Sequence, residues 1–179
     1  MWLDDSIDAV FCMRGGYGTL RILPDINCSI YKRRKKILIG YSDITALLLM
    51  IYSKANLATF HGPMLGTKTL SDKLLPKNKK SVSSIWSVLS SKDFSFSYSF
   101  KKTGTVIYSG KITGPIIGGN LSVICSMLGS EFSPDFSKSI LFLEDCNEEP
   151  YKIDRYLTQL KNAGVFEKIS GLIVGSFYK

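Results

Sequence analysis

The sequence predicts an α/β fold in two parts, the first built on a parallel sheet. Three observations carry this. Near the N-terminus a strand signal, a glycine-rich turn, a helix, a second strand, a serine turn and a second helix follow in βαβα order, and parallel strands need such crossovers. Beyond residue 70 the composition shifts to serine and lysine, which marks a domain change. Strand and helix signals then resume as far as residue 177. The parts are assigned as 1–70 and 71–179.

The elements follow in order. "IDAVFCM" (7–13) is short and apolar, which suits a buried strand. It runs into "RGGYG" (14–18), whose glycines permit close backbone approach. A short helix is expected around "LRILPD". "KILIG" (36–40) is the next strand. Apolar residues at helical spacing predict a helix over 43–55, with Asp43 placed to cap it. After "TFHGPML" (59–65), "SVSSIWSVLSS" (81–91) reads as an amphipathic helix. "FSFSYSF" (94–100) alternates aromatic with serine, the period of a half-buried strand. Strands are expected at 105–112, 139–144 and 171–177, and helices at 120–128 and 150–162.

The bulk numbers exclude several classes. With 45% hydrophobic residues, ten Phe and nine Tyr, the 179-residue chain has ample material for a core, so disorder is excluded. No apolar run reaches the ~20 residues of a membrane span. The acidic start "MWLDDSIDAV" lacks the pattern of a signal peptide. Four cysteines without a CxxC pair argue against zinc and for a reduced, cytoplasmic setting. The net charge of +8 concentrates in "KRRKK" (32–36) and "KLLPKNKK" (73–80). Neither cluster carries interleaved aromatics, so solvated loops are expected and nucleic acid is not.

The chemistry centres on Ser42, in "GYSDI" between a strand and a helix. A residue at such a tip projects outward, and the helix start offers N–H groups. The glycines of "RGGYG" end a neighbouring strand, at the sheet edge where open α/β folds bind ligands. The stretch lacks the second glycine of G-x-S-x-G, and a serine also starts helices; on the residues alone both readings stand. The chain has one histidine, His61. A lone histidine is more often structural than a base. Glu144 ends an apolar strand, a position open to a site carboxylate or to a cap or ion pair. Asp154 and Arg155 are expected to serve structural ion pairing.

Taken in order, "FCMRGGYGTLRILPDI", "KILIGYSDITALLL", "TFHGPM", "GGNLSVICSMLGS" and "ILFLEDCNEEPYKIDRYLTQLKNAGVFEKISGLIVGSF" closely resemble the LD-carboxypeptidase family of serine peptidases. That family includes muramoyltetrapeptide carboxypeptidases and immunity peptidases against microcin C. Residues 66–104 match poorly. The resemblance implies a Rossmann-like parallel-sheet N-terminal unit and a second, C-terminal α/β domain, both incomplete. It implies Ser42 as nucleophile, Glu144 as the acidic triad member, and backbone N–H donors at Asp43 and at Gly15 or Gly16. The implied base is a histidine downstream of "GLIVGSF", which His61 does not match. The chain is thus expected to be a fragment lacking N-terminal units and the C-terminal histidine segment.

The implied reaction is hydrolysis of the L,D-peptide bond of a cytoplasmic murein tetrapeptide, releasing D-alanine without metal or other cofactor. The enzyme would be a homodimer. A catalytically dead remnant is the alternative. A basic binding module using Lys32–Lys36, at nucleic acid or a membrane surface, is the weaker one.

Overall fold

A computed structural model describes residues 1–67, 76–91, 97 and 104–178. Its first sheet contains β1 (Ala9–Phe11), β2 (Ile37–Gly40) and β3 (Phe60–His61), in that spatial order and all parallel. Its second contains β4 (Ile116–Asn120), β5 (Ile140–Cys146) and β6 (Gly171–Tyr178), again in order and parallel. The helices are α1 (Thr19–Ile22), α2 (Ser29–Arg33), α3 (Thr45–Ala55), α4 (Pro76–Leu89), α5 (Leu121–Met127) and α6 (Pro150–Asn162). The expected α/β class and parallel pairing are therefore present.

Hydrophobic packing joins the two sheets. Met50 and Ile51 of α3, Ile124 of α5, Leu141 of β5 and Leu160 of α6 are fully buried in one cluster. A hydrogen bond also crosses between the halves, from the Asn120 amide to Thr45 Oγ1 at 3.2 Å. Burying this aliphatic set supplies the main driving force, at ~25 cal/mol per Å² of apolar surface.

Several expectations need correction. The first strand is confined to residues 9–11 within the expected 7–13. The helix expected around "LRILPD" is split, because Pro24 starts a 3-10 turn, Leu23–Asp25, directly after α1. Residues 105–112 form no strand, and Val106, Ile107 and Tyr108 are exposed. β4 was not expected. Its two glycines, Gly118 and Gly119, weaken a strand signal. The aromatic–serine stretch 94–100 lies outside the described residues except for Ser97.

Asp43 does not cap its own helix, because its carboxylate is engaged elsewhere. Arg155 lies over the Tyr151 ring at 5.5 Å, and the ion pair of this segment is Lys152 with Glu148 at 3.2 Å. The basic run 32–36 is partly structural. Lys36 is buried and donates to the carbonyls of Asp4 and Ile7, while Arg34 pairs with Asp5. Among the described residues no helix is long and apolar enough to cross a membrane.

Candidate active site

β2 ends at Gly40, Tyr41 is extended, and Ser42 turns the chain into a 3-10 turn, Ser42–Ile44, that leads into α3. Ser42 has φ 59°, a left-handed conformation that a non-glycine residue adopts at a cost of about 1–3 kcal/mol. The corner is tight. A Cβ at Gly40 would lie 2.6 Å from Ile44 Cγ2, so the glycine two residues before the serine is sterically required.

The glycine loop packs against this corner. A Cβ at Gly15 would stand 3.1 Å from Ser42 Oγ and 3.5 Å from the Asp43 nitrogen. Gly16 has φ 153°, which disfavours any side chain there. The loop's far end is held by Asp43. Thr19 donates to Asp43 Oδ2 twice, from its amide at 3.0 Å and its hydroxyl at 2.7 Å. Amides from Leu65 and Gly66 donate to the carbonyls of Cys12 and Met13, so the segment after His61 lies beside the loop's start. Gly15, Gly16, Ser42 and Asp43 therefore form one cluster at the sheet edge.

Glu144 occupies β5, in register with Asn120 of β4. Opposite it β6 carries an extra residue between Val174 and Phe177, a bulge. A Cβ at Gly175 would lie 3.3 Å from Glu144 Cβ, so the glycine keeps this wall open. Burial, and next the Asp145 carboxylate, push Glu144 up to about 7, against a lowering hydrogen bond with Asn120. Its Oε1 has no hydrogen-bond partner among the described residues.

His61, at the end of β3, places Nε2 3.7 Å from that Oε1. Burial pulls the imidazole down to about 4, so it is neutral above that pH and the contact is not an ion pair. The His61 ring meets Tyr41 and Phe142 edge-on, at 6.2 and 5.4 Å between centroids. His61 and Tyr41 thus connect the Ser42 corner to Glu144. No hydrogen bond joins Ser42 to His61 or to Glu144, and among the described residues no group of three or more His, Cys, Asp or Glu is placed to hold a metal.

Three polar residues that sequence reasoning missed support the two clusters. Thr19 holds the glycine loop. Asp145, buried, accepts from Asn120 Nδ2 at 2.8 Å, the Ser122 amide at 3.0 Å and the Cys146 amide at 2.9 Å. Asn120 Oδ1 in turn caps α5 through the Val123 amide at 3.1 Å. An Asn directly before an apolar run was the available signal for that cap.

Family models for the LD-carboxypeptidase N-terminal domain and C-terminal domain match residues 1–62 and 113–179. The chain belongs to the LD-carboxypeptidase family. It is 40% identical over 179 residues to a probable murein peptide carboxypeptidase of Bacillus subtilis, covering 99% of this chain and 54% of that protein. It is 32% identical over 198 residues to the microcin C7 self-immunity protein MccF of Escherichia coli, covering 95% and 56%. The structure of the muramoyltetrapeptide carboxypeptidase from Oxalobacter formigenes superposes with a TM-score of 0.85 at 27% identity, covering 99% of this chain and 59% of that one. The chain spans about half the length of the curated relatives it matches.

Proposed function

We propose that this chain carries the nucleophile and the acidic group of a serine LD-carboxypeptidase acting on cytoplasmic murein tetrapeptides. The left-handed Ser42 beside Gly15 is the observation that carries this reading. Ser42 Oγ attacks the carbonyl carbon of the L,D-peptide bond while a base removes its proton. The oxyanion forms against the Asp43 N–H and that of Gly15 or Gly16, at the start of the turn into α3. The base then protonates the leaving amine, D-alanine departs, and water hydrolyses the acyl-enzyme.

Glu144 orients the base and stabilises its cation, and the family resemblance supplies that base from beyond β6. His61 does not take the role, since its ring is held among Glu144, Phe142 and Tyr41 with no hydrogen bond to Ser42. The higher identity to the murein peptide relative than to the microcin C7 self-immunity protein favours a murein peptide as substrate.

The test measures D-alanine release from a murein tetrapeptide by the complete polypeptide its gene encodes, and by residues 1–179 alone. Ser42→Ala is expected to lower kcat by about 10⁴- to 10⁶-fold. The 1–179 chain is expected to show only residual turnover, because a serine hydroxyl without an adjacent base is a weak nucleophile. Full activity in Ser42→Ala would refute the serine mechanism. Full, Ser42-dependent activity in residues 1–179 would assign the base to a group within them, His61 first. A complete polypeptide inert towards murein peptides and microcin C would favour the remnant reading.

A further inference from the structure

We propose that the Asp43 side chain is a positioning residue that sets the oxyanion site, holding the Gly15–Gly16 loop against the amide that Asp43 itself contributes. The inference rests on the serine-peptidase reading and deepens it.

Asp43 and Thr19 are each 7% exposed and lie 24 residues apart in sequence. A buried carboxylate is costly unless it is hydrogen-bonded. The Thr19 amide and hydroxyl meet that need, both through Oδ2. The Thr19 amide belongs to the first turn of α1, where it has no partner within the helix. The residue before it, Gly18, offers no side-chain cap, so Asp43 supplies one from a distant part of the chain. Bonds to an ionised acceptor are about twice as strong as neutral ones.

The geometry has a mechanical consequence. The glycine loop runs from the end of β1 to Thr19, and its last residue is clamped by the Asp43 carboxylate. Its first glycine lies against Ser42 Oγ and the Asp43 nitrogen. Asp43 therefore holds one donor on its backbone and fixes the other through its side chain. The spacing between the two depends on one residue rather than on the packing of two independent loops.

Losing the clamp leaves the Asp43 N–H in place and lets the loop's N–H drift. A displacement of ~1 Å costs on the order of 10²-fold in rate. Because the donors act on the oxyanion, the loss falls on kcat and leaves KM nearly unchanged.

The experiment uses the complete polypeptide with Asp43→Ala, Asp43→Asn, Thr19→Val and the Asp43→Ala/Thr19→Val double variant. D-alanine release is measured together with amide hydrogen exchange at Thr19, whose amide donates to Asp43. Asp43→Ala is expected to lower kcat by about 10²-fold with KM within about threefold. Asp43→Asn, which keeps an acceptor oxygen, should recover part of that loss. The double variant should match Asp43→Ala, because partners in one contact are not additive. Exchange at the Thr19 amide should quicken while that of Ile39 in β2 stays slow.

If Asp43→Ala fails to fold, Thr19→Val decides, with a smaller fall in kcat and faster loop exchange expected. Unchanged kcat, a loss confined to KM, or loop exchange as slow as in the parent protein would overturn the proposal. Activity surviving in Ser42→Ala would instead sink the serine mechanism, and loop exchange in Asp43→Ala would then judge the clamp by itself.

Discussion

His61 and Glu144 face each other across the two sheets, and burial moves both away from their charged forms. Their effects on stability have opposite signs. Glu144 rises from an ordinary 4.5 to about 7, so the folded chain binds more protons than the unfolded one across that window. Stability from Glu144 is present below pH 4.5 and is lost as pH rises to 7. His61 falls from 6.5 to about 4, so the folded chain binds fewer protons there, and stability is gained as pH rises to 6.5. Each full proton difference is worth about 1.4 kcal/mol per pH unit. The two slopes cancel between pH 4.5 and 6.5. Relative to the parent chain, Glu144→Gln should therefore gain stability as pH rises through this window. His61→Gln should lose it up to pH 6.5, above which both chains lose stability in parallel through Glu144. Urea midpoints at pH 4.5, 5.5 and 6.5 check this; a His61→Gln midpoint that climbs with pH relative to the parent would show that the imidazole is not held neutral by the fold.

At the scale of elements, legibility in the sequence followed local signal. β2 was readable because Ile37, Leu38 and Ile39 form a short β-branched and apolar run, and α6 because Pro150 fixes its first turn. The Ser42 corner was readable as strand–turn–helix, but its left-handed φ and the close approach of Gly40 to Ile44 and Gly15 to Ser42 are not local signals. The Thr19–Asp43 and Asn120–Asp145 bonds span 24 and 25 residues, and no periodicity reports contacts at that range. β4 failed for a related reason. Its glycines look like a loop, yet they are there for close approach to β5 and α3. A Cβ on Gly118 would overlap the Phe142 carbonyl oxygen, and one on Gly119 would lie 2.7 Å from Thr45 Oγ1. Gly118 also has φ 157°, so a side chain there is strained as well as crowded. Gly118→Ala should cost about 3 kcal/mol or more, the sum of strain and overpacking. Gly18→Ala, with open space around it, should change stability by less than about 0.5 kcal/mol. Urea unfolding of both variants checks the contrast, and an unaltered midpoint in Gly118→Ala would mean that β4 and β5 are not paired in this register.

At the scale of the whole molecule, β6 is an edge strand of the second sheet among the described residues. Leu172 and Val174 stand in register with Leu141 and Leu143, and in-register residues of parallel strands share a face. That face is fully covered over β5, where Leu141 and Leu143 are 0% and 1% exposed. It is uncovered over β6, where Leu172 and Val174 are 46% and 54% exposed. An apolar face continuing to an unpaired edge is a template for association. The net charge of +8 opposes it, but at 0.15 M salt such repulsion is screened beyond about 8 Å. Residues 1–179 are therefore expected to self-associate at micromolar concentration, more strongly as salt rises, and to bind a hydrophobic dye. Lysines on this face act against edge pairing, so the Leu172→Lys/Val174→Lys double variant should shift the chain toward monomer and reduce dye binding. Sedimentation velocity across a concentration series at two salt levels reads this directly. A parent chain that stays monomeric throughout, or a double-lysine variant that associates as strongly as the parent, would place the sticky surface elsewhere, with the exposed Val106–Tyr108 segment the next to substitute.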